Sequence, residues 1–257
     1  LAVHTKFYGA AMTTTMQYSE LEGVTPKGID FIKNSAAFSK EQIVPAIHVK
    51  GGGIQFNLLS LESTNAKISI INSNTNEIVK SQNVDLIGGK VNITKIDGLK
   101  GGNYFAKVEG SNSLIASARV DQNKGSENEF AYFSSVEGAN NLVGLIPNNL
   151  ESDITIYGIN DGGENDANFV LSYYNAEGKL ISQKIKTLQT GKSILISAAE
   201  LKKEKVQYVF ANAQSLSTKL FAGAALFGEG KENNYFISSE PFTNVDAYTQ
   251  KVLIAQK

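Results

Sequence analysis

Between Asp161 and Asn168 the chain reads DGGENDAN, which places the carboxylates of Asp161, Glu164 and Asp166 and the amide of Asn165 within six residues. Hard oxygen donors at that density, next to a Gly162-Gly163 pair that lets the backbone wrap a cation, are the chemistry of a calcium loop. The spacing is not that of an EF-hand. A matching stretch a hundred residues earlier, Leu61 to Lys67, keeps only Glu62. The loop therefore reads first as a solvated turn and second as a calcium site through Asp161, Glu164 and Asp166, and no other cofactor is expected.

Nucleophilic catalysis finds few components. The chain has no cysteine and two histidines, His4 and His48, and no G-x-S-x-G elbow supplies a serine for either. Asp121, Glu127 and Glu129 form a second acidic group, but Lys124 lies among them, and alternating charge is the mark of a solvated connection. Glycoside hydrolysis would require two carboxylates at a fixed separation across a cleft. Sugar binding needs only exposed aromatic faces, for which Tyr132, Tyr157, Tyr173, Tyr174 and Tyr235 are candidates. In an alternating strand one of Tyr173 and Tyr174 must face outward. The glycine runs at Gly51–Gly53 and Gly98–Gly102 lack the pattern of a phosphate cradle. No enzymatic activity is expected.

Composition narrows the partners. Net charge is −1, and of the 24 basic residues only Arg119 is an arginine, so the basic stripe of a nucleic-acid binder is missing. No run approaches the roughly 18 apolar residues of a transmembrane helix. A 42% hydrophobic and 9% aromatic content is that of a folded globular protein, and 257 residues suffice for two cores. With 4 prolines, 23 glycines and abundant Asn, Ser and Thr, the composition suits an extracellular or cell-surface β-protein. The opening Leu1 suggests that an upstream segment has been removed.

These residues must be positioned by a repeated framework. TKFYGAAM (Thr5 to Met12), LIASARV (Leu114 to Val120) and TKLFAGAAL (Thr218 to Leu226) are variants of one strand, their small-residue pairs starting at Gly9, Ser117 and Gly223, 108 and 106 residues apart. A second family recurs as KEQIVPAIHVK (Lys40 to Lys50), NNLVGLIPNN (Asn140 to Asn149) and TQKVLIAQK (Thr249 to Lys257). Between these markers short strands alternate with turn residues. Ala66–Leu86 and Asn168–Leu188 read as hairpins, turning at Asn72–Asn76 and at Asn175–Gly178. Strands led by glycine follow, with Val91 and Ile93 on one face and Asn92 and Thr94 on the other. Aromatic strands come next, Asn103–Gly110 and Val206–Ala213. Ser197 with Glu200 three positions later marks a short helix within Ser197–Val206.

The expected fold is all-β: two tandem antiparallel β-sandwich domains with extra terminal strands. Boundaries fall at 1–38 for an N-terminal partial repeat, 39–138 and 139–242 for the two sandwiches, and 243–257 for a C-terminal partial repeat. With no tryptophan or disulfide, core bulk falls to Phe56, Phe105, Phe169, Phe210 and Tyr208. The pattern, including ITIYGIN (Ile154 to Asn160) before a hairpin and a glycine-led strand, resembles the immunoglobulin-like and fibronectin-like repeats of secreted or cell-surface bacterial proteins. That resemblance covers roughly Glu41 to Phe242. It implies export and a scaffolding or adhesive role, and brings no catalytic residues with it.

The ends carry the sharpest expectation. The tail copies the opening strand of a repeat, with Val252, Leu253 and Ile254 as its apolar residues, and Phe7, Tyr8, Ala10 and Met12 form the N-terminal element that would pair with it or with a neighbour. Pairing between copies would give a head-to-tail homo-oligomer, filament or surface layer by strand addition. Pairing within one copy would latch the chain, and the third reading is an array cut from a larger secreted protein. The competing functional class is a carbohydrate-binding module whose partner is a polysaccharide.

Overall fold

The structure, a computed structural model, describes residues 10–19, 23–33, 38–124, 127–146, 151–162, 166–229 and 235–245. Among these residues it is antiparallel β with one short helix. Two compact units emerge, the first drawn from Leu1–Asn72, Glu77–Glu137 and Glu229–Ser239, the second from Ser73–Asn76, Gly138–Gly228 and Glu240–Lys257.

The first unit opens with a hairpin of β1 (Ala10–Ser19) and β2 (Gly23–Lys33), then runs through β3 (Ser39–Val49), β4 (Gly52–Ser60), β5 (Thr64–Asn72), β6 (Ile78–Leu86), β7 (Val91–Leu99), β8 (Gly102–Lys124) and β9 (Glu127–Ser134). β8 is 23 residues long and serves two layers. Its first half pairs with β5 and β3, and its second half with β4 and β9. β6 and β7 take the edges beside β5 and β4. Alternation fixes the register: Ala66, Ile68 and Ile70 are buried while Asn65 and Lys67 are exposed. Leu114, Ala116, Ala118 and Val120 share the buried face of β8.

Packing accounts for the small residues of that strand. Ala118 lies directly opposite Phe56 and Ala116 opposite Leu58, and both large side chains are fully buried. A small residue beside each large one lets the layers close without voids. In β7 the alternation is as expected, and the face bearing Thr94 is the one that turns inward. Thr94 and Ile96 point inward, while Val91 and Ile93 are 57% and 66% exposed.

The remaining elements are β10 (Asn141–Leu145), β11 (Glu151–Asn160), β12 (Asp166–Tyr174), β13 (Leu180–Gln189), β14 (Lys192–Ile196), α1 (Ala198–Glu204), β15 (Tyr208–Ala213), β16 (Thr218–Glu229), β17 (Tyr235–Pro241) and β18 (Thr243–Asn244), all of the second unit except Glu229 and Tyr235–Ser239, which fall in the first. Their sheets run β13-β12-β15-β10-β18 and β14-β11-β16-β17. Between them lies one core, with Ile154, Ile156, Ala222 and Ala224 meeting Phe169, Leu171, Tyr173 and Val209. Here too alanines oppose large residues, Ala224 beside Ile154 and Ala222 beside Ile156. Phe242 closes the core against Gly144, where even a Cβ would come within 2.2 Å of the Phe242 ring.

Strand for strand, the sheet orders correspond. β6-β5-β8-β3 matches β13-β12-β15-β10, and β7-β4-β8-β9 matches β14-β11-β16-β17, with β15 and β16 in place of the two halves of β8. The β1–β2 hairpin repeats the pairing of β8 with β9 and of β16 with β17.

Local signals act where the sequence placed them. Asn175 and Gly178 close the β12–β13 turn, Gly178 at φ 74° and its N–H donating to the Asn175 carbonyl at 3.0 Å. Ser197 caps α1 by accepting from the Glu200 N–H, and Lys205 ends it in the left-handed conformation. No helix among the described residues is long and apolar enough to cross a membrane.

Candidate functional site

Asn160, at the end of β11, organises the acidic loop. Its amide Nδ2 donates to the Asp166 carbonyl at 2.8 Å, and its Oδ1 accepts from the Gly162 N–H at 2.9 Å. Asn160 is 7% exposed, and its own backbone N–H donates to Thr190 Oγ1 at 2.7 Å. This amide serves the loop carbonyl as a cation would. The Asp161 carboxylate meets Lys219 Nζ at 3.6 Å, Asp166 begins β12, and Glu164 lies outside the described residues. Among the described residues no three acidic or histidine side chains gather as a metal ion requires.

Of the assembly residues, Ala10 and Met12 lie on β1, opposite Lys33 and Phe31 of β2. Phe7, Tyr8, Val252, Leu253 and Ile254 lie outside the described residues. His48 bridges β3 to β8, its Nδ1–H donating to Asn103 Oδ1 at 2.8 Å. The second acidic group falls on the β8–β9 hairpin, with Glu127 opposite Lys124 and Glu129 opposite Gln122.

Among the described residues, a dense arrangement of titratable groups is one the sequence did not signal. Lys184, in the middle of β13, reaches under α1 and donates to Glu200 Oε1 at 2.8 Å and to Glu204 Oε1 at 2.9 Å. Its ammonium also stands 4.7 Å from the centroid of the Tyr173 ring. The Tyr173 hydroxyl donates to Glu200 Oε1 at 3.0 Å, and Ser182 Oγ donates to Glu204 Oε2 at 3.0 Å. Local rules produce this. The capped helix sets Glu200 and Glu204 one turn apart on a single face, and alternation sends Ser182 and Lys184 to the side that α1 covers.

Each group is held in the form it has at neutral pH, the phenol uncharged and the lysine and carboxylate charged. Burial, then the charge of Glu200, raises the Tyr173 hydroxyl far above its ordinary range. The Glu200 hydrogen bond, against some desolvation, raises Lys184. Burial works to raise Glu200, but hydrogen bonds from Lys184 and Tyr173 outweigh it and hold the carboxyl below the usual range. Such groups hold their protonation states rather than pass protons. The cluster fastens α1 to the edge of the sheet.

Core aromatics divide differently from expectation. Phe56, Phe105 and Phe169 are buried, but Tyr208 and Phe210 are only half buried, on the outer side of β15. Tyr173 and Phe133 supply the bulk instead. Of the candidate sugar-stacking rings, Tyr173 and Tyr157 are buried, whereas Tyr174 and Tyr132 remain half exposed. Tyr235 lies on β17.

Among curated proteins none matches the chain. The model of a family of unknown function, DUF5719, matches residues 1–199 of the 257. Since that match covers well over half its length, the chain belongs to the DUF5719 family.

Proposed function

We propose that this protein is a non-catalytic extracellular structural or adhesive subunit, built from immunoglobulin-like or fibronectin-like repeats and assembled head-to-tail through terminal strands. One observation carries the reading: the pairing of a small-residue strand with the strand after it occurs three times, as β1–β2, β8–β9 and β16–β17. The N-terminal hairpin thus has the form of the closing strands of a repeat. The segment bearing Val252, Leu253 and Ile254 has the sequence of an opening strand, like β3 and β10. A strand of one copy added to the incomplete repeat of the next would gain backbone hydrogen bonds, with alternate side chains setting the register. Repeated head-to-tail, such a contact builds a filament unless rotation closes a ring. Quiet charge, 23 glycines and abundant Asn, Ser and Thr suit an exported scaffold.

Deleting Gln250–Lys257 and measuring mass by light scattering tests this. Full-length protein is expected to form concentration-dependent oligomers, and the truncated form to be monomeric. Oligomers unchanged by the deletion would refute strand assembly, as would a full-length protein monomeric at every concentration.

A further inference from the structure

The duplicated framework allows one face to be compared with itself. The outer side of β5, β8 and β3 in the first unit has its counterpart in the outer side of β12, β15 and β10 in the second. In the first unit this side is charged. Lys67 lies opposite Glu109, and Lys107 binds Glu41 at 2.8 Å and Glu109 at 3.0 Å. Phe105 and Ile71 share the side but are buried, at 1% and 8% exposure. Where this side is open to solvent, its charges are paired with one another.

In the second unit the same side carries no cation on these strands, and its formal charge is the Asp166 carboxylate at the start of β12, opposite Gln189. Tyr174 lies directly opposite Tyr208, and Phe210 stands one step along, its ring centroid 5.2 Å from that of Tyr174. Next to the rings come amides and hydroxyls. Gln183 Nε2 donates to Ser172 Oγ at 3.1 Å, and Asn212 Nδ2 donates to Asn141 Oδ1 at 2.8 Å. Even the edge strand obeys the division. The lysines of β13, Lys184 and Lys186, point to the opposite side, where Lys184 is held by Glu200 and Glu204, and the outer side keeps Gln183, Ile185 and Thr187.

We propose that this outer face of β13-β12-β15-β10 binds an uncharged polysaccharide. Half-exposed aromatic rings offer apolar faces to the C–H side of a sugar, while amides and hydroxyls in the same plane meet its hydroxyl groups. Neighbouring strands stand about 4.8 Å apart, comparable to the length of one pyranose ring, so rings on β12 and β15 can meet successive sugars of a chain. The electrostatics choose the ligand class. An anionic glycan or nucleic acid would require cations, and here the sheet turns its cations away. A protein partner would bury the amide and hydroxyl pairs, whereas a hydroxylated chain keeps them hydrogen-bonded. This inference does not depend on strand assembly, since every residue in it belongs to one unit.

Affinity electrophoresis of the intact protein, in native gels containing hydroxyethylcellulose, galactomannan, laminarin or the anionic polymer alginate, is the test. At least one neutral polymer is expected to retard migration. Tyr208→Ala should weaken that retardation about tenfold, the size of one lost stacking contact. Gln183→Ala, at an exposed position with no packing role, should weaken it less and provides a check that does not burden the fold. Circular dichroism melts confirm that both variants are folded. Retardation by no neutral polymer overturns the proposal, as does retardation by alginate alone. Binding retained in both folded variants also overturns it, and so does a dimer of the unliganded protein that Tyr208→Ala dissolves.

Discussion

Replacing Lys184 with methionine separates charge from packing at the α1 latch. Methionine keeps most of the aliphatic stem over the sheet and removes the ammonium that binds Glu200 at 2.8 Å and Glu204 at 2.9 Å. The three side chains are 32%, 37% and 27% exposed, so solvent screens both pairs, and each is worth about 0.5–1 kcal/mol. The contact with the Tyr173 ring at 4.7 Å adds about 0.5–1 kcal/mol. Together these predict a loss of about 2 kcal/mol at pH 7. In a chain of this size that is about 4–8 °C in melting temperature.

The pH dependence identifies the cause. Glu200 is held below its ordinary range in the folded state, so its contribution is present above the unfolded carboxylate value and is lost as pH falls through the folded one. Lys184 is raised, so its contribution is complete below the unfolded lysine value and is lost only at strongly alkaline pH. Urea titrations at pH 7 and pH 2 should therefore show the gap between wild type and Lys184→Met shrinking to about 0.5–1 kcal/mol, that of the ring contact. An equal gap at both pH values would refute the electrostatic account and assign the effect to packing.

Two further substitutions probe the frame. Gly144→Ala would drive a methyl into the Phe242 ring, 2.2 Å from the nearest carbon, and should destabilise by about 1–3 kcal/mol in chemical denaturation. Gly178, whose turn is open, is not subject to that clash. Asn160→Ala removes both side-chain contacts of the acidic loop and should cost about 1–3 kcal/mol, read by the same titration. If added calcium restored that stability while leaving wild type unchanged, the reading of Asn160 as the loop's own stand-in for a cation would gain direct support. No response in either protein would leave the hydrogen bonds as its sole organiser.

Much of the frame could be read from residue order, because its signals are local. Asn175-Ala176-Glu177-Gly178 closes a turn with backbone angles few other residues accept, and Ser197 with Glu200 caps a helix within one turn. What residue order left open was the choice between faces. Val91 and Ile93 alternate with Asn92 and Thr94 either way, and burial of Thr94 rather than Ile93 depends on how β7 joins β4, a pairing between residues some 35 apart in sequence. Tyr173 and Tyr174 posed the same problem. A register shift between them, with Tyr173 opposite Ser182 and Tyr174 opposite Leu180, accompanies one ring pointing inward and the other out. The Lys184 cluster was hidden for a related reason. Its members come from β12, β13 and α1, and a lone lysine in a strand reads as solvated until the helix above it is known.

The unbroken run of β8 has a consequence for how the first unit comes apart. One continuous ribbon contributes hydrogen bonds to both of its layers, so neither layer can peel off without straining the other. In the second unit the corresponding run is divided by the segment between β15 and β16, where the Ser217 N–H donates to Ser215 Oγ. There the layers are joined by a short hydrogen-bonded corner and their side-chain core rather than by a shared spine. Under tension or partial unfolding the first unit should therefore yield all at once, while the second can surrender one layer before the other.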